Sequence, residues 1–182
     1  MNIVVFFSGT GTNLQSILQN EEKLNYKVIS TFTNNPDASG IDISKNFNVD
    51  CKILDHKKFD SREKFDEEIN VYLQKLNPDY VILAGYMRIL SNFLVEKWKQ
   101  KIINIHPSLL PKYPGLNTHE RALLAGDKLH GTTIHYVTSD LDAGPIITQQ
   151  SIEIEPDDTI ESLTEKIKEL ENKIYPETIS NL

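Results

Sequence analysis

Short apolar runs alternate with longer stretches of helical periodicity through roughly the first hundred residues. Asn2-Ile3-Val4-Val5-Phe6-Phe7 is apolar throughout after its first position, as expected of a parallel strand covered on both faces. Residues 26–33, the shorter run 49–54, Tyr80-Val81-Ile82-Leu83-Ala84 and Ile102-Ile103-Asn104-Ile105 read as further strands. Between them, Leu14, Ile17 and Leu18 open a helix, and residues 38–47 form a weak one. Phe65, Ile69, Tyr72, Leu73 and Leu76 mark an amphipathic helix over 61–76, with Ser61 at its N-cap. Ser91 caps another, carrying Phe93, Leu94 and Trp98. Strands that alternate with helices predict an open, doubly wound, mainly parallel sheet with helices on both faces.

Beyond residue 115 the rhythm changes. A helix starts at Asn117 or Thr118 and ends before Gly126. Residues 132–138 and 146–154 read as strands joined by the turn Ser139-Asp140-Leu141-Asp142-Ala143-Gly144-Pro145. That hairpin link implies an antiparallel end to the sheet. A last helix is predicted from about Thr159 to Tyr175, with Leu163, Ile167, Leu170 and Ile174 on one face.

Composition narrows the function classes. One domain is the natural reading of 182 residues, and a chain of this size buries roughly 70% of its unfolded surface without a disulfide or metal staple. The net charge of −7, from 19 basic and 26 acidic residues, argues against a nucleic-acid protein, whose footprint is a basic patch. Any anionic substrate must then be held by local groups. Cys51 is the only cysteine, which points to a reducing compartment; it is expected to be buried and inert. No apolar run reaches the ~18 residues of a membrane span, and the chain opens on a strand with no leader-like segment. A soluble, cytoplasmic protein is expected.

Four stretches carry candidate chemistry. Ser8-Gly9-Thr10-Gly11-Thr12-Asn13 links the first strand to the first helix. Its glycines let the backbone turn tightly, and the helix N-terminus offers free N–H groups to a phosphate. Leu14 stands where a dinucleotide fingerprint needs its third glycine, and no Gly-Lys-Ser/Thr follows. On these residues alone a plain turn and a phosphate cradle both stay open. Gly85-Tyr86-Met87-Arg88-Ile89-Leu90 leaves the carboxyl end of the fourth strand, where such sheets bind ligands; a core role fits those letters too.

Asn104 and His106 are two apart on a strand and share a face, with Pro107 ending the strand beside them. An amide and an imidazole so placed can stabilise an oxyanion and move a proton. A capping Asn and a structural His fit the same pattern. Paired acids in a turn such as Asp140 and Asp142 usually make Asx-type hydrogen bonds. His119 reads as structural, and Glu171 by itself as a helix-surface glutamate. His106, His119 and His135 lack zinc-type spacing with a carboxylate or Cys pair, so no metal is expected.

Longer matches bear on these choices. Residues 104–115, Asn-Ile-His-Pro-Ser-Leu-Leu-Pro-Lys-Tyr-Pro-Gly, resemble almost letter for letter the active-site segment of the folate-dependent glycinamide ribonucleotide formyltransferases of purine synthesis. Ser8 to Leu14, Leu83 to Leu90, His130-Gly131-Thr132-Thr133-Ile134-His135 and Leu141 to Pro145 resemble that family's other segments, in its order and over nearly the whole chain.

The resemblance implies transfer of a formyl group from 10-formyltetrahydrofolate, a cosubstrate, to the amine of 5'-phosphoribosylglycinamide. It implies that Gly11, Thr12 and Asn13 hold the ribonucleotide phosphate, although Thr10 and Thr12 stand where Asn and Ser are common. Glu171 would contact the ribonucleotide. Arg62, Met87, Arg88, Ile89, Leu90 and Asn104 would contact the folate. Asn104, His106 and Asp142 would be catalytic, with Asp142 set against His106 and raising its pKa while burial lowers it. His135 would stand behind that pair.

The single domain 1–182 would divide into a phosphate-binding half, about 1–100, and a folate and catalytic half, about 101–182. The substrate amine is itself the nucleophile, so no Ser/His/Asp triad is needed. Relatives of that family continue into a further strand beyond the point where this chain stops. A methionyl-tRNA formyltransferase shares the trio but normally carries an RNA-binding domain. A formyltetrahydrofolate hydrolase usually carries an N-terminal regulatory domain, whereas Met1 here leads straight into a strand. A binding module that lacks catalysis could lose any of Asn104, His106 or Asp142, and all three are present.

Overall fold

The computed structural model describes all of residues 1–182. Its strands are β1 (Asn2–Phe7), β2 (Lys27–Thr33), β3 (Cys51–Ile53), β4 (Tyr80–Leu83), β5 (Ile102–His106), β6 (Leu129–Tyr136) and β7 (Ile146–Glu153). Its helices are α1 (Thr12–Asn20), α2 (Gly40–Asn46), α3 (Arg62–Leu76), α4 (Asn92–Lys97), α5 (Thr118–Leu124) and α6 (Ile160–Ser180). The seven strands form one sheet in the order β3-β2-β1-β4-β5-β6-β7. The first five are parallel, and β6 and β7 pair antiparallel at one end. This is the doubly wound sheet with an antiparallel end that the periodicity predicts.

β1 shows how the two layers arise. Ile3, Val5 and Phe7 pack in one core with Leu14 and Ile17 of α1 and with Ile174, Tyr175 and Ile179 of α6. Val4 and Phe6 pack in the other with Phe65 and Leu73 of α3, Leu94 of α4 and Trp98. Successive strand residues face opposite sides, so an unbroken apolar run is what a doubly covered strand requires.

Three boundaries differ from the sequence reading. β3 is only three residues long, because only Cys51, Lys52 and Ile53 pair with Thr31–Thr33. Cys51 is half-buried rather than buried, although burial still pushes its thiol up. β6 begins at Leu129, three residues before the expected Thr132, because Leu129 pairs with Glu153 of β7. α6 runs on to Ser180 through Pro176. A proline inside a helix removes the hydrogen bond to the carbonyl four residues back, here that of Asn172. The Ser16 hydroxyl of α1 donates to that carbonyl instead, so the helix continues with the acceptor satisfied.

Tyr175, completely buried, ties α6 to the sheet where the strands begin to part. Its hydroxyl lies 2.9 Å from the Leu83 carbonyl and 3.2 Å from that of Ile103. Tyr175→Phe keeps the ring and removes the donor. The expected cost is about 1–3 kcal/mol, the usual range when a buried polar group loses its partner. Urea unfolding measures it, and unchanged stability would contradict the link.

Candidate active site

The chain winds outward from β1 through β2 to β3, then returns to β4 on the other side of β1. The carboxyl ends of β1 and β4 therefore flank the point where open α/β sheets bind ligands. Ser8, the first residue after β1, holds this point together. Its N–H donates to the Gly85 carbonyl at 3.1 Å. Its hydroxyl donates to Asn34 Oδ1 at 2.6 Å and accepts from the Met87 N–H at 2.8 Å. Its carbonyl accepts from Asn35 Nδ2 at 3.1 Å.

Two clefts open from this junction and share Gly85, Met87 and Arg88. The first, of about 590 Å³, runs between the Met87–Leu90 segment, the end of β5, the start of α5 and the 138–142 loop. Apolar side chains stand open to solvent along it: Met87 is 73% exposed, Ile89 55% and Leu141 57%. The Arg88 guanidinium lies over the Phe65 ring, 5.1 Å from its centroid.

The second cleft, of about 580 Å³, is lined by Ser8–Asn13, Asn34, Asn35, His56, Lys57, Lys168 and Glu171. Gly11 caps α1 with φ +78°, and a Cβ there would lie 2.9 Å from Gly40 Cα. No side chain caps α1 and no acid lies in its first turn, so its N–H groups and positive dipole end stay available to an anion.

At the end of β5, Asn104 and His106 share a face with their cross-strand partners His135 and Thr133. His135 Nδ1 is 2.9 Å from the Tyr136 carbonyl, to which it donates. Its Nε2 then accepts from Asn104 Nδ2 at 3.3 Å. One amide hydrogen is oriented in this way and the other remains for a ligand. Burial first of all holds the His135 imidazole below its usual range, consistent with the neutral ring this arrangement needs.

His106 is buried and has an acceptor at each ring nitrogen. Nε2 lies 2.9 Å from the Tyr113 carbonyl, and Nδ1 lies 3.5 Å from Asp142 Oδ2. A reacting atom reaches either nitrogen only by replacing one of those acceptors. Asp142 has φ +52° and also accepts the Gly115 N–H at 2.8 Å, which sets its carboxylate against the imidazole.

Of the residues singled out from sequence, Asn104, His106, Asp142, Met87, Arg88, Ile89 and Leu90 line the first cleft. Gly11, Thr12, Asn13 and Glu171 line the second. Arg62 lines neither; it begins α3 near the buried Asp66 carboxyl. His119, read as structural, borders the first cleft, and its Nδ1 lies 3.0 Å from His130 Nε2.

The sequence reading missed His56, Lys57 and Lys168. His56 and Lys57 follow the carboxyl end of β3, a position that is suspect in any such sheet. Lys168 precedes Glu171 by one helical turn and shares its face.

A doubly wound sheet with an amide, an imidazole and a carboxylate gathered beside two joined clefts defines a group-transfer enzyme. The sequence pattern of the formyl transferase family matches residues 1–179, and the chain belongs to that family. It is 43% identical to the phosphoribosylglycinamide formyltransferase of Escherichia coli (strain K12) over 182 residues, 99% of this chain and 86% of that protein. The phosphoribosylglycinamide formyltransferase of Coxiella burnetii superimposes with a TM-score of 0.96 at 44% identity, covering 99% of this chain and 85% of that one. That of Bacillus halodurans gives 0.95 at 39% identity, covering 100% and 94%.

Histidines in and beside the first cleft make stability depend on pH. Burial is the main cause that lowers His130 to about 4 and holds His119 and His135 below the usual imidazole value. As pH falls through about 6.5, the unfolded chain takes up protons that these folded rings refuse, so stability drops. Glu171 opposes the trend, because burial raises its carboxyl and the folded chain keeps a proton that the unfolded chain releases. His130→Gln should flatten the loss of stability between about pH 7 and pH 5 in urea unfolding. A slope unchanged from the parent would contradict the assignment.

Proposed function

We propose that this chain transfers the formyl group of 10-formyltetrahydrofolate to the amine of 5'-phosphoribosylglycinamide, giving N-formylglycinamide ribonucleotide and tetrahydrofolate in purine synthesis. The observation that carries this reading is the meeting of the two clefts at Gly85, Met87 and Arg88, with Asn104 and His106 lining the first, in a chain whose relatives are phosphoribosylglycinamide formyltransferases. The substrates are small molecules. No helix is long and apolar enough to cross a membrane, and a cytoplasmic location without nucleic-acid partners goes with the reading.

In the second cleft, Gly11, Thr12 and Asn13 at the open end of α1 receive the ribonucleotide phosphate, with Glu171 beside it. Lys57 and Lys168 supply positive charge that the acidic chain lacks as a whole. The first cleft takes the folate, with Met87, Ile89 and Leu90 as apolar walls and backbone groups of Met87–Leu90 for the polar edge of its ring, the usual pocket recipe. Arg62, which lines neither cleft, is left at most an outer contact to the folate.

The amine attacks the formyl carbon, forming one C–N bond and a tetrahedral oxyanion, and the bond to the folate nitrogen breaks as that oxyanion collapses. The free N–H of Asn104 donates to the tetrahedral oxyanion, a contact typically worth about 10²–10³ in rate. His106 donates as well, from Nε2 once the substrate has replaced the Tyr113 carbonyl that this nitrogen faces in the free chain. The amine loses one proton in the step and the departing folate nitrogen gains one; His106, set by Asp142, carries the transfer. No three His, Cys, Asp or Glu side chains converge to hold a metal, and every step uses side chains already named.

His106→Ala should lower turnover by about 10²–10⁴ while ribonucleotide affinity stays within about twofold, since the phosphate end lies in the other cleft. Turnover near that of the parent would remove His106 from catalysis. In the parent, 10-formyltetrahydrofolate should be consumed only when 5'-phosphoribosylglycinamide is present. Formate released without it would make the enzyme a hydrolase. Folate binding without turnover would make it a binding module.

A further inference from the structure

Behind the sheet, on the face away from His106, a line of buried polar atoms joins the two clefts. Glu171 is 7% exposed and Thr132 not at all. Asn13 Nδ2 donates to Glu171 Oε2 at 3.1 Å. Glu171 Oε1 lies 3.1 Å from the Thr132 hydroxyl, which lies 2.9 Å from the His106 carbonyl. That carbonyl also accepts the Ser108 N–H at 2.8 Å, so the peptide carrying the imidazole is held from both sides of Pro107.

The protons on this line are constrained. Thr132 has one hydroxyl hydrogen and two oxygen neighbours, and the His106 carbonyl can only accept. A protonated Glu171, donating from Oε1 to Thr132, leaves the threonine hydrogen for His106, whereas an ionised one competes for it. Asn13 then satisfies the other carboxyl oxygen, and no polar atom along the line is orphaned. Burial, the largest influence on Glu171, favours that protonated form.

We propose that Thr132 is a positioning residue for His106, and that Glu171 anchors it to Asn13 of the ribonucleotide loop. The hydroxyl fixes the His106–Ser108 turn and with it the angle at which the imidazole enters the first cleft. The seating of the ribonucleotide loop and the seating of the catalytic ring thereby share one hydrogen-bonded line through the sheet. Thr132 lines neither cleft. Its loss should therefore act on the rate of the chemical step rather than on affinity. This inference rests on the formyl-transfer reading.

The test is steady-state kinetics of the full chain with 10-formyltetrahydrofolate and 5'-phosphoribosylglycinamide, for the parent, Thr132→Val, Thr132→Ala and Thr132→Ser. Valine keeps the branched shape without the hydroxyl, and alanine repeats the loss if valine does not fold. The expected result is a kcat lowered about tenfold in whichever hydroxyl-free variant folds, at the upper end of what one hydrogen bond contributes. Both KM values should stay within about twofold. Thr132→Ser should recover most of the parent kcat.

A hydroxyl-free variant with the parent kcat, or a serine variant as slow as the hydroxyl-free one, would overturn the positioning role. So would a loss that appears in KM alone. A parent that does not turn over this substrate pair would instead overturn the functional reading, and the inference with it.

Discussion

The Ser8 junction is the interaction on which the rest depends. One buried residue makes four hydrogen bonds, to the chain following β2 and the chain following β4, and both clefts open from it. The topology makes such a pin necessary. β1 sits between β2 and β4, so the segments leaving β2 and β4 part at this point. Without a polar link their free backbone groups would be exposed or orphaned. With it, the gap becomes a lined site whose halves meet at Gly85, Met87 and Arg88.

Two chemistries then coexist a short distance apart. The second cleft is polar, with the uncapped start of α1 and two lysines, in a chain of net charge −7. Local groups, rather than the overall field, would hold any anion there. The end of β5 is more enclosed. His135 and His106 are buried there, each with defined partners on its ring nitrogens. Burial holds the His135 imidazole below its usual range, which suits a ring that accepts from Asn104, while His106 faces the Asp142 carboxylate and the Tyr113 carbonyl. Two imidazoles on one face of β5 and β6 are thus set to different tasks by their neighbours.

Much of this was legible in the chain. β1 has the bounds that its apolar run implies, and the spacing of Asn104 and His106 placed both on one face because a strand alternates strictly. What escaped depended on tertiary partners. The extension of α6 past Pro176 needs Ser16, about 160 residues earlier in the chain. Asn104 and His135 meet only because β5 and β6 pair in one particular register. Lys57 and Lys168 lie far apart in the chain and meet only at the second cleft. Arg62 was carried by resemblance alone, and its side chain lines neither cleft.

In the proposed reaction the two clefts bring both substrates together over Asn104 and His106. The most direct measurement is a crystal structure of this protein with 5'-phosphoribosylglycinamide and a folate analogue that cannot transfer its one-carbon group. The expected complex has the phosphate on the N–H groups of Gly11–Asn13. The amine should lie about 3–3.5 Å from the carbon that stands for the formyl group, with that group's oxygen in reach of Asn104 Nδ2. A folate bound away from the Met87–Leu90 segment, or a phosphate held outside the second cleft, would contradict it.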